Sequence, residues 1–370
     1  MKNKILILSV LIFLFGIPSW GFVENVTHGY ANCTVCHLSP SGGGLLNDYG
    51  RSLSKELMST WGWENSELPL FGALKNTERF RLGGDFRTIQ TYLENAEVRQ
   101  GRQFVMQKNI ELGLNFQNVW LVGTLGTQEG PTGTPNQGDF LSERHYVLWD
   151  LTEEIKLRIG KFRLNYGFYD PNHTRVTKAP LGFGPGSESY IMEFSRFTET
   201  DETFISADLG RIDIPRKLKS EKSLSLNYAK YTSERSKLGT SFLVGESESK
   251  RRSLAGIYGI FGVLSESILK FEVDYQSSYF SFAPNEEKNL VTGSMSFGYE
   301  MAKGLLPYII TEQLKSDLKD NLSQTSSYGV GIQWLPMPHI EIQAELKKQN
   351  VNSSVPQDSD SGWFVLHFYL

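Results

Sequence analysis

Leu269-Lys270-Phe271-Glu272-Val273-Asp274-Tyr275-Gln276 alternates apolar with charged or polar side chains without a break. Successive side chains of a β-strand point to opposite faces. This octet therefore turns Leu269, Phe271, Val273 and Tyr275 to an apolar medium and the other four to a polar one. The same period recurs from about residue 79 to the end. Leu224, Leu226 and Tyr228 interleave with Ser225, Asn227 and Ala229. Ile340, Ile342, Ala344 and Leu346 interleave with Glu341, Gln343, Glu345 and Lys347. Alternation alone fits a soluble sandwich as well as a barrel.

The connections separate the two. Some sixteen strands of roughly ten to fourteen residues are readable, long enough to cross a bilayer at a tilt. The first is expected near Arg79 to Glu94 and the last from Gly362 to Leu370. Every second connection is short, such as Gln117-Asn118, Ser233 to Ser236 and Ala302 to Gly304. The intervening ones are longer and polar: Pro131 to Gly138, Asp170 to Ser187, Ile214 to Lys222, Phe282 to Lys288, Ser316 to Gln324 and Asn350 to Ser361. Short turns on one side and long loops on the other mark an outer-membrane barrel. The expected fold is all-β: a transmembrane antiparallel β-barrel of about sixteen strands (range 14–18) over residues 76–370. Both termini are expected on the periplasmic side, with outer-membrane lipid as one partner. The loop Asp170 to Ser187 could fold into the lumen or stand outside. The closing segment Trp363 to Leu370 resembles the last strand of bacterial barrels, with Leu370 in place of the usual Phe.

Composition narrows the alternatives. Among 370 residues, 37 Lys and Arg face 41 Asp and Glu, a net charge of -4. No basic surplus exists to neutralise phosphates, so nucleic acid is not an expected partner. A mean hydropathy of -0.30 excludes a helical membrane protein but not a barrel, whose average is polar. Residues 1–21 read as a signal peptide. Lys2 and Lys4 precede the apolar run Ile5 to Ile17, Pro18 breaks it, and Ser19 and Gly21 suit a cleavage site.

The only two cysteines stand together in Cys33-Thr34-Val35-Cys36-His37. This spacing is the attachment pattern of a c-type haem. Two thiols add across the two porphyrin vinyl groups, and the next residue offers an imidazole to the iron. A redox-active disulfide would need a thioredoxin-like context, and a zinc site a second ligand pair; neither is readable here. Residues 22–75 are therefore expected to form a short cytochrome c-like segment holding one haem through Cys33, Cys36 and His37. Gly42-Gly43-Gly44 suits a turn in close backbone contact. A short helix is expected from Arg51 to Trp61, stopped by Gly62. Arg51 could pair with a haem propionate or be solvated. The second axial ligand is open: Met58, His28, or a histidine of the barrel wall. His145 and His367 are expected on the lumen face.

Signal peptide, Cys33 to His37, Pro40, Leu46-Asn47-Asp48-Tyr49-Gly50 and a barrel behind them resemble one known layout. It is the fused outer-membrane monohaem cytochrome-porin family, which includes iron-oxidising outer-membrane cytochromes. The resemblance implies attachment by Cys33 and Cys36 and proximal ligation by His37. It also implies single-electron transfer between an extracellular donor or acceptor and a periplasmic carrier. The Gly42 to Gly44 insert departs from the family, and iron oxidation is not carried over. A diffusion porin whose haem segment is a plug or redox gate is the alternative.

Overall fold

The computed structural model describes residues 23–30, 32–74, 77–128, 140–172, 175–184, 186–212, 220–352 and 358–370. The expected signal peptide, residues 1–21, lies outside them.

One closed antiparallel sheet accounts for most of the chain. Its strands are β1 (Phe80–Asn95), β2 (Arg99–Phe116), β3 (Val119–Gln128), β4 (Phe140–Leu141 with His145–Asp150), β5 (Ile155–Phe162), β6 (Ser189–Phe197), β7 (Asp201–Asp208) and β8 (Lys222–Ser233). The second half comprises β9 (Ser236–Glu246), β10 (Lys250–Phe261), β11 (Ser267–Phe280), β12 (Ala283–Tyr299), β13 (Leu305–Lys315), β14 (Gln324–Met337), β15 (Ile340–Asn352) and β16 (Ser359–Tyr369). Both pieces of β4 pair with β3, so they are one interrupted strand and the described barrel has sixteen. β1 pairs with β16 from Asp85↔Tyr369 to Asn95↔Ser359, which closes the ring. Closure leaves no open sheet edge among the described strands.

The alternation sets the faces. On β2, Ile110, Leu112, Leu114 and Phe116 are exposed on the outside, while Asn109 and Glu111 are buried inside. On β11, Val273 and Tyr275 face out, and Glu272 and Asp274 face in. An apolar outer band over a polar interior is what a barrel in hydrocarbon requires. His367 faces the lumen as expected. His145 does not: it shares the parity of the exposed Val147 and Trp149 and belongs to the outer face. Tyr146 to Trp149 are apolar on both faces, so alternation carries no phase there.

Turns at one end are short, as at 117–118, 234–235 and 338–339; of the long loops expected at the other, Pro131 to Gly138 and parts of Ile214 to Lys222 and Asn350 to Ser361 lie outside the described residues. One expected loop is a correction. Instead of a loop at Phe282 to Lys288, β12 begins at Ala283 and pairs back to β11 through Tyr279↔Glu287.

The lumen is filled from both ends. The described residues of connection 163–188 turn inward. Arg175 grips Glu345 with two bonds of 2.9 and 2.7 Å, and Lys178 reaches Glu272 at 2.8 Å. Residues 23–74 dock at the short-turn end. Their one α-helix, α1 (Asp48–Leu53), runs on as a wider turn through Met58. It starts before the expected Arg51 because the Asn47 side chain caps it, accepting from the Gly50 amide at 2.8 Å. Leu45 joins Trp120, Tyr146, Leu148, Phe162 and Leu181 in a buried apolar cluster inside the barrel.

Candidate functional site

The Cys33–Val35 segment is a single tight turn. Asn32 caps it, accepting from the Thr34 amide at 3.1 Å. The Cys36 and His37 amides both donate to the Cys33 carbonyl, at 3.2 and 2.9 Å. This folds the two sulfurs and the imidazole into one local unit. Asn47 then holds the unit against α1. Its Nδ2 donates to the carbonyls of Thr34 and Val35, and its amide donates to the Cys36 carbonyl at 2.9 Å. Gly50 permits the contact: a Cβ there would lie 2.9 Å from the Cys36 Cα and overlap its carbonyl oxygen.

Cys33, Cys36 and His37 line one cavity together with Met58, Tyr30 and His367. The cavity itself measures about 160 Å³ and opens into further unfilled space. Gly42, Gly43 and Gly44 form part of the wall, with φ of 85°, 71° and 68°. That left-handed run suits glycine alone. A side chain would also intrude: a Cβ on Gly42 would sit 3.1 Å from the Cys33 sulfur.

The donor set fits a c-type haem. Both thiols are free. Burial pushes Cys33 up to about 11, and burial with the neighbouring Cys33 pushes Cys36 up to about 12. Burial also holds His37 down at about 4, so its imidazole stays neutral and keeps a lone pair. Its Nδ1 is buried, and the Gly44 backbone opposes the downward shift.

The two candidates for the second axial position are placed differently. Met58 lines the cavity. His28 does not; its Nε2 lies 3.5 Å from Glu300 at a short turn. His367 lines the cavity, but its nitrogens meet Glu341 at 2.8 Å and Asp85 at 2.9 Å. Arg51 is neither solvated nor on the cavity wall. It is buried, its Nη2 donates to the Leu82 carbonyl at 2.6 Å, and burial lowers its pKa to about 10. Because α1 begins at Asp48, this face of the helix turns to β1.

Sequence reasoning missed the contacts that seat the plug. Arg158 on β5 donates to Ser39 at 2.7 Å and Ser41 at 2.9 Å, while pairing with Glu193 at 2.7 Å. Arg81 on β1 pairs with Asp48. Tyr169, from the inward connection, reaches Gly43 from the other side. No local signal marks pairs so far apart in the chain.

No family model and no curated protein matches the sequence. Solved structures match in shape. The outer membrane channel DcaP of Acinetobacter baumannii superposes with a TM-score of 0.60 at 12% identity, covering 80% of this chain and 99% of that one. The fold is that of an outer-membrane porin. Outer-membrane expressed OmpT of Vibrio cholerae gives 0.60 at 10% identity, covering 80% of this chain and 99% of its own. An anion-selective porin from Comamonas acidovorans gives 0.60 at 8%, covering 79% and 99%. At these identities the likeness to porins is one of fold alone.

Proposed function

We propose that this chain is a bacterial outer-membrane barrel whose plug carries one covalent c-type haem and passes single electrons. The route runs between an extracellular donor or acceptor and a periplasmic carrier. One observation carries the reading: Cys33, Cys36 and His37 line one cavity within a lumen filled by apolar side chains and ion pairs. A c-type haem supplies one-electron oxidation and reduction at its iron. Cys33 and Cys36 would anchor it, each S–H adding across one vinyl group with nothing leaving. His37 would hold the iron from one side, with Met58 the candidate for the other. Gly42 to Gly44 leave the wall flat, and the plug and inward connection exclude water. The short-turn end, which bears both the plug and the end of β16, is read as periplasmic. The resemblance to fused cytochrome-porins supports the same reading.

The comparisons bear on the barrel and not on electron transfer. By themselves they favour a second reading, a diffusion porin with a haem-bearing plug or redox gate, because the neighbours are channels and porins. The filled lumen weighs against it.

The test is a reduced-minus-oxidised spectrum and pyridine haemochrome assay of the protein purified from outer membranes. One c-type haem per chain is expected, and normal two-bond attachment should be lost in Cys36→Ser. Proteoliposomes should then reduce an enclosed acceptor from an external, impermeant donor. Absence of covalent haem sinks both readings. Haem with solute flux but no electron transfer would select the gated porin.

A further inference from the structure

Segment 61–74 leaves the lumen over the rim between the β12–β13 turn, where Thr60 donates to the Lys303 carbonyl, and the end of β14. The amides of Thr60 and Trp61 donate to the carbonyls of Leu335 and Pro336 at 2.9 and 2.8 Å. His339, in the β14–β15 turn, meets the Leu68 carbonyl at 3.0 Å through Nε2. Beyond the rim, Trp61 packs edge-on against Trp334 at 5.8 Å. Trp334 shares the parity of the exposed Tyr328, Val330 and Ile332, so it belongs to the outer wall. Trp63 stacks on Phe71 at 5.6 Å. Trp61, Trp63, Leu70, Phe71 and Leu74 are all exposed, Trp61 by 57%.

The backbone adds an independent observation. Leu70 and Phe71 both adopt positive φ, 51° and 55°. Bulky side chains avoid that region, and two in succession mark stored strain. The strain holds two apolar side chains outward, where water gives nothing in return.

We propose that residues 61–74 form an interfacial anchor seated in the headgroup layer of the phospholipid leaflet at the short-turn rim. Tryptophan prefers that layer, with its ring in apolar surroundings and its N–H near water. The segment continues the outer apolar wall directly, through Trp61 on Trp334. Its charged residues are Glu64 and Glu67, and Glu67 pairs with Lys55 at 3.2 Å. With no cation of its own, it fits a zwitterionic surface. The anchor would hold the plug from outside the barrel. This inference rests on the outer-membrane reading above.

The experiment uses the full chain labelled with 5-fluorotryptophan in phosphatidylcholine nanodiscs. Resonances are assigned with Trp61→Phe, Trp63→Phe and Trp149→Phe. Trp149, exposed on the outer face of β4, reports whether the barrel sits in the bilayer. Lipid carrying a headgroup nitroxide should abolish all three resonances by broadening. Loss of Trp149 alone overturns the anchor and leaves the membrane barrel standing. In that case, broadening of Trp61 and Trp63 by a water-soluble nitroxide would mean solvent covers them. Insensitivity to both probes would mean another protein or a second copy does. Survival of all three with nitroxide lipid overturns the outer-membrane reading itself.

Discussion

Asn47 Nδ2 donates to the Val35 carbonyl at 2.9 Å while its Oδ1 accepts from Gly50 at 2.8 Å, so one side chain joins the cysteine turn to the start of α1. Neither bond survives truncation. Asn47→Ala removes a helix cap, typically costing about 1 kcal/mol. It also strips the side-chain donor from two carbonyls, at about 1–3 kcal/mol for each one left buried and unmet. The variant should insert as a normal barrel yet show lower haem content and faster proteolysis of residues 23–74. Unchanged haem content and protease resistance would refute this role for Asn47.

Arg158 is buried, and it serves both plug and wall. Arg158→Met releases Ser39 and Ser41 and leaves Glu193, itself fully buried, without its cation. Breaking a buried pair from one side costs about 3–5 kcal/mol. Replacing both partners, as in Arg158→Met with Glu193→Leu, should recover most of that loss. Thermal unfolding in detergent measures the pair. A double variant as unstable as the single one would show that the ion pair is not the source.

Asp48 predicts an acid limit for plug docking. The Arg81 hydrogen bond holds its carboxyl below the ordinary value. A depressed carboxylate contributes stability above its unfolded pKa, and that contribution fades as pH falls through the folded value. Docking, read as protease resistance of residues 23–74, should therefore be full at neutral pH and weaken below about pH 4. In Asp48→Asn this acid step should be smaller. An identical acid profile in the variant would assign the step to other groups.

Lumen filling predicts the conductance. The intact chain in a planar bilayer should pass little ion current. Removing residues 22–75 should raise it several-fold, with connection 163–188 still limiting the bore through Arg175 and Lys178. A large current through the intact chain would favour the diffusion-porin reading.

Much of the barrel was legible because a strand needs only its own residues to declare a face. Residues 269–276 alternate, and Glu272 and Asp274 do point inward. The exceptions have local causes. Tyr146 to Trp149 lack alternation, which hid the outward parity of His145. The turn-like composition at 283–286 masked a strand that continues through it. At the site, the cysteine spacing is what suggests the proposed chemistry. The partners that seat the plug are legible only in three dimensions. Arg158 lies 119 residues from Ser39, and nothing near either one advertises the other. The fate of the expected loop Asp170 to Ser187 depended on Glu272 and Glu345, buried carboxylates on strands far along the chain.

Leu45 lies in a slot left by Gly83 and Gly113. A Cβ on Gly83 would come 2.7 Å from its Cδ2 and 3.3 Å from the carbonyl oxygen of Leu370. Gly83 belongs to β1 and Leu370 follows β16, the two strands whose pairing shuts the ring. Seam and plug therefore meet at this fully buried leucine, and again where Arg51 reaches Leu82 of β1 and Ser54 meets Tyr369 of β16. Contacts between the two ends of a chain are the slowest to form. A plug that seats badly would therefore also leave the seam poorly closed.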